Sequence, residues 1–107
     1  MKISNAFSLN MLSLLEGQTV TLTVSATDLD TAQVQAMMGL ESCIGHADTA
    51  ALVSEVLRVE IPMVRATVTL KPGDDLLVAQ YSGPRLPEGT KTLPQGATIK
   101  FMTVTVS

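Results

Sequence analysis

The chain is short of the residues that build covalent or metal-held scaffolds. Its one cysteine, Cys43, excludes an intrachain disulfide framework, and with its one histidine, His46, leaves no ligand set at zinc-site spacing. A reducing compartment therefore suits it, and the expected location is cytoplasmic. No apolar run approaches the roughly 18 residues needed to span a membrane, so no membrane partner is expected. The first fifteen residues offer only Lys2 as a basic region, are broken by Ser4, Asn5, Ser8 and Asn10, and lack a small-residue cleavage pattern, so they read as folded chain rather than signal peptide. Positive charge is also scarce. Asp and Glu number 10 against 7 Lys and Arg, a net charge of −3, which argues against sequence-blind DNA binding by phosphate neutralisation. A small anionic ligand in a local basic pocket stays open. No Gly-Lys-Ser/Thr occurs and no spaced glycines precede a helix, so there is no phosphate loop. No Asp/Glu/His group has metal-ligand spacing, which disfavours metal-assisted hydrolysis.

What is present fits one domain over residues 1–107: 46% of the residues are apolar, enough to bury a core without staples. Val20, Leu22 and Val24 alternate with Thr19, Thr21 and Thr23, the period-2 pattern of a half-buried strand. Thr27 and Asp30 imitate a capping box before a short helix carrying Ala32, Val34, Met37 and Met38 and stopped by Gly39, with both methionines expected as core filler. A second helix starts near Ala47 or Asp48 and bears Ala51, Leu52, Val53, Val56 and Leu57 at helical spacing, with Pro62 closing the region. Val64, Ala66, Val68 and Leu70 alternate with polar residues and predict another strand, followed by the turn signal Pro72-Gly73-Asp74-Asp75. Leu76 to Ala79 reads as a central strand covered on both faces. A Pro- and Gly-rich loop from Gly83 to Gly96 precedes a last strand with Ile99, Phe101, Met102, Val104 and Val106. The parity break at Phe101-Met102 calls for a bulge or for two buried faces. The expected fold is α/β, a small mixed sheet of four or five strands flanked by helices.

Three segments could carry chemistry. Gly45-His46-Ala47-Asp48-Thr49 lies where an apolar strand-like stretch, Cys43-Ile44, gives way to a helix whose N-terminus attracts anions. There an imidazole can exchange protons near pH 7, or simply sit as a surface or capping side chain. Arg85-Leu86-Pro87-Glu88-Gly89 offers a guanidinium fork suited to phosphate oxygens, or an exposed ion pair of negligible energy. Asn5-Ala6-Phe7-Ser8-Leu9-Asn10 supplies donors and acceptors for ribose and base edges, or ordinary turn chemistry, and Gln80 is ambiguous in the same way. Cys43 lies three residues from His46, but a buried strand thiol is the commoner case.

Taken in order, Asn5-Ala6-Phe7-Ser8-Leu9-Asn10-Met11-Leu12, Ile44-Gly45-His46-Ala47-Asp48-Thr49-Ala50, Pro72-Gly73-Asp74 through Gln80, and Arg85-Leu86-Pro87-Glu88-Gly89 resemble the small viral and phage ring nucleases that act as anti-CRISPR proteins against type III systems, a family also described as a domain of unknown function from turreted icosahedral viruses of archaea. The resemblance runs along essentially the whole chain. It implies a homodimer whose pocket, across the dimer axis, takes cyclic tetra-adenylate without a metal or other cofactor. It implies a catalytic role for His46, with Arg85 and Glu88 on the loop, and ligand contacts from Asn5, Ser8, Asn10, Gly45, Thr49, Arg65 and Gln80. The stretch from Leu93 to Lys100 departs from the pattern, being short and turn-rich where some relatives carry a further helix. Two other functions compete: a non-catalytic sponge for a cyclic oligonucleotide, and a protein-interaction or regulatory module with no nucleotide ligand.

Overall fold

The threonine-rich alternation becomes strand, but two residues later than the pattern suggests. In the computed structural model, which describes residues 1–107, β1 spans Lys2–Ser4, β2 Leu22–Thr27, β3 Glu41–Ser42, β4 Asp75–Ser82 and β5 Thr98–Val106. Helix α1 runs from Leu29 to Met38 and α2 from Ala47 to Leu57, with one 3-10 turn at Leu9–Met11. The strands form a single sheet in the order β2-β5-β4-β1-β3. β1 pairs in parallel with both β3 and β4, while β5 is antiparallel to β4 and to β2. β5 is thus the one reversed strand, and the expected mixed α/β sheet is present with five strands.

β4 sits in the middle, and its run Leu76, Leu77, Val78 and Ala79 is buried throughout, as a strand covered on both faces must be. Leu77 and Ala79 point to one side, where Ile3, Ile44 and Phe101 join Ala32 and Ala36 of α1 and Ala50, Val53 and Leu57 of α2. Leu76 and Val78 point to the other, with Cys43, Val104, Val106, Val68 and Leu70, and with Phe7, Met11, Leu12, Val20 and Leu22 packed around them. The parity break in β5 is explained by this division. Its register with β4 and β2 runs without a bulge, so Phe101 faces the helices while Val104 and Val106 face the opposite side.

Helix α1 corrects two expectations. Its N-cap is Asp28, whose side chain accepts the Thr31 N–H at 2.7 Å, rather than Thr27, which ends β2. Met37 and Met38 are 72% and 84% exposed, not core filler. The buried stripe of α1 is only Ala32 and Ala36, one turn apart, and these small side chains let the helix lie close while the methionines turn outward. Gly39, at φ 106°, stops it.

The alternating stretch from Val64 to Lys71 does not join the sheet. Val64 N–H bonds Ile44 C=O at 2.9 Å and Leu70 N–H bonds Met11 C=O at 2.7 Å, and Leu70 makes a lone bridge with Leu12. β3 has two residues and offers no longer ladder, so the chain leaves the sheet's edge and lies across its second face, burying Val68 and Leu70. Two serines guide that passage. Ser54 Oγ accepts the Ile61 N–H at 2.8 Å and donates its one hydrogen to the Ala50 carbonyl at 2.7 Å, with the Ile61 carbonyl the more distant alternative at 3.1 Å, while Ser42 Oγ donates to the Pro62 carbonyl at 2.5 Å. No helix is long and apolar enough to cross a membrane.

Candidate functional site

Because β4, β1 and β3 are parallel neighbours, their carboxyl ends open on one edge of the sheet, where ligands of open α/β sheets collect. Each of the three chemistry-bearing segments begins there. Asn5 follows β1, Gly45 and His46 follow β3 within four residues, and Gly83 to Gly89 follow β4. Segments far apart in sequence thus leave the sheet at one edge.

His46 is the N-cap of α2, with extended backbone (φ −124°, ψ 126°) and its C=O accepting from Ala50 N–H at 2.9 Å. Its side chain makes no capping hydrogen bond and is exposed, which leaves the imidazole uncommitted at the positive end of the helix. Thr49 lies half-buried in the first turn. Arg65 comes to the same place from the segment that crosses the sheet: its Nε–H donates to the Gly45 carbonyl at 3.3 Å. A Cβ on Gly45 would lie 3.5 Å from Arg65 Cγ, so the two residues pack side by side. The guanidinium of Arg65 is therefore attached to the residue preceding His46.

The loop after β4 reaches the same helix. Gly89 N–H donates to Asp48 Oδ1 at 3.2 Å, which ties the Arg85–Gly89 segment to the first turn of α2. Arg85 and Glu88 are both exposed, and it is Gly89 rather than either of them that contacts the helix.

Asn5 and Gln80 meet elsewhere. With Ala6, Phe7, Val24, Val78, Met102 and Val104 they line a cleft of about 290 Å³ on the face away from the helices, and His46 is not among its walls. Ser8 and Asn10 are exposed at and within the 3-10 turn, outside that cleft. The single chain thus brings His46, Gly45, Thr49, Arg65 and the Arg85–Glu88 loop to one helix start, gathers Asn5 and Gln80 in a neighbouring cleft, and leaves Ser8 and Asn10 apart from both. Asp48 was not singled out in the sequence, where a carboxylate in a helix's first turn signals only a favourable dipole interaction. No group of three or more His, Cys, Asp or Glu is placed to hold a metal ion. Cys43 is buried beside this edge, and burial pushes its thiol above the ordinary value, an effect that Lys2 opposes and Glu41 reinforces.

Comparison with curated proteins gave no match. Among solved structures, the chain is similar to B116 of Sulfolobus turreted icosahedral virus, with 28% sequence identity, a TM-score of 0.78 and 96% of each chain covered. The model of the STIV B116-like family matches residues 1–101, and the chain belongs to that viral protein family.

Proposed function

We propose that this protein is a metal-independent ring nuclease that opens cyclic tetra-adenylate in the host cytoplasm and so damps type III CRISPR signalling. The observation that carries the reading is the convergence at the start of α2: an uncommitted imidazole at His46, a guanidinium held at Gly45 by Arg65, and the Arg85–Glu88 loop tied in through Gly89. A helix N-terminus attracts a phosphodiester, and these side chains suit the charge that grows on it.

In this reading the ribose 2′-hydroxyl attacks the adjacent phosphorus and loses its proton to solvent. The phosphorus–5′-oxygen bond breaks, and protonated His46 gives its proton to the departing oxygen. Arg85 stabilises the phosphoryl oxygens, and Glu88 fixes Arg85 or the ribose. Thr49 at the helix start, with Asn5 and Gln80 in the neighbouring cleft, holds sugars and bases. The first cut gives a linear tetra-adenylate, and the same step at the opposite phosphodiester, in the second half-site, gives two linear di-adenylates, each ending in 2′,3′-cyclic phosphate.

A homodimer belongs to the proposal. The site lies open on the edge of one chain, and a ligand with two-fold symmetry suits two identical half-sites. Exposed Leu9, Leu14, Leu15 and Val24, on or beside the segments covering the face away from the helices, supply apolar surface for such a partner.

Purified protein incubated with cyclic tetra-adenylate in EDTA should yield the cyclic-phosphate product. His46→Ala should slow the reaction by a factor on the order of 10²–10⁴ with an unchanged melting temperature. Intact ligand recovered from a tight stoichiometric complex would replace the nuclease with a sponge. No change in melting temperature with a panel of cyclic oligonucleotides would point instead to an interaction module.

A further inference from the structure

We propose that Asp48 is a positioning residue whose carboxylate latches the 83–97 loop to the start of α2 and thereby sets where Arg85 and Glu88 stand relative to His46. The effect on catalysis rests on the ring-nuclease reading; the latch itself does not.

The loop is closed at its neck. A Cβ on Gly83 would lie 2.7 Å from Ala97 Cβ, so the outgoing and returning strands touch there. The Tyr81 hydroxyl donates to the Pro84 carbonyl. Further along, Thr90 N–H and the Thr90 hydroxyl both donate to the Pro87 carbonyl. These bonds shape the loop internally, as in an Ω-loop, but none fixes its tip against the helix.

The Gly89–Asp48 hydrogen bond does, across 41 residues of sequence. Gly89 adopts φ 81°, a conformation open to glycine, so its N–H is presented by a turn that other side chains would strain. Asp48 is the second residue of α2, where a carboxylate commonly serves its own helix; here Oδ1 takes the loop's N–H. Arg85 and Glu88 lie between the neck and this bond, so releasing it frees both at once.

Trypsin reads the latch without any ligand, because Arg85 and Lys91 are the only basic residues in the loop and Arg58 closes α2 as an internal control. Asp48→Ala should raise the initial cleavage rate after Arg85 and Lys91 about fivefold while the Arg58 site stays at its wild-type rate. Asp48→Asn, which keeps a carbonyl acceptor, should stay near wild type. An unchanged loop rate in the alanine variant, an equal rise at Arg58, or an asparagine variant that behaves like alanine would each overturn the proposal. At saturating cyclic tetra-adenylate the alanine variant should cleave about tenfold more slowly, with asparagine restoring the rate. A wild-type protein that fails to cleave would sink the ring-nuclease reading while the protease comparison still decides the latch.

Discussion

The two faces of the sheet are covered in different ways. One is roofed by α1 and α2, whose backbone hydrogen bonds are satisfied within each helix. The other is roofed by extended segments before β2 and between α2 and β4, which pack side chains together but are paired through a single backbone bridge, Leu12 to Leu70. Helices bring their own hydrogen bonds to a face and add rigidity; extended cover relies on burial and a few backbone contacts. Local opening should therefore be easier on the second face.

Adjacent Leu76 and Leu77 are both fully buried but point to opposite faces, so they test this difference directly. Leu77→Ala, beneath the helices, should cost about 4 kcal/mol and Leu76→Ala about 2–3 kcal/mol in urea unfolding, because the extended cover can collapse into the space left behind. Equal losses would break the comparison.

The crossing between the faces should be the next most sensitive feature. Ser54→Ala strips the Ile61 N–H of its acceptor and should cost about 1–3 kcal/mol. Ser42→Ala removes a donor to the Pro62 carbonyl and an acceptor for Ile44 N–H at 3.3 Å. It should cost less, because the longer bond is weaker. Denaturant midpoints of the two variants would sharpen the boundary between the faces.

The smallest effect concerns Cys43, which packs on the second face. Burial holds its thiol protonated beyond the ordinary range, so the folded state keeps a proton that the unfolded chain releases first. Stability should accordingly be intact below the thiol's normal pKa and decline slightly as pH rises past it. Labelling by a thiol reagent should proceed through local opening, with a free-energy cost below that of global unfolding; equal costs would mean that the second face opens only with the whole molecule.

Helix α2 and the central strand were legible because their hydrophobic patterns report local geometry, and α1 because an acid in its first turn, Asp30, and Gly39 at its end bracket it. The spacing of Leu52, Val53 and Leu57 places α2, and the unbroken run from Leu76 to Ala79 announces a strand buried on both sides. The Val64–Lys71 segment misled for a physical reason: period-2 alternation records an extended backbone lying on an apolar surface, and a segment laid across a sheet face satisfies it as well as one paired in the sheet. Met37 and Met38 misled because apolar character alone does not say which side of a ten-residue helix is covered, and two alanines proved sufficient.

The site divides the same way. His46 at a helix start and the loop with Arg85 and Glu88 could be picked out from residue type and local signals. Arg65 beside Gly45, and Asp48 as the residue receiving the loop, could not, since each contact joins positions 20 to 41 residues apart. What the sequence alone determined is the set of elements and the kinds of side chain available, because propensity, capping and periodicity act over a few residues. What the tertiary structure decided is which of those side chains share one edge, because parallel pairing of β4, β1 and β3 aligns their carboxyl ends and no local pattern encodes that pairing.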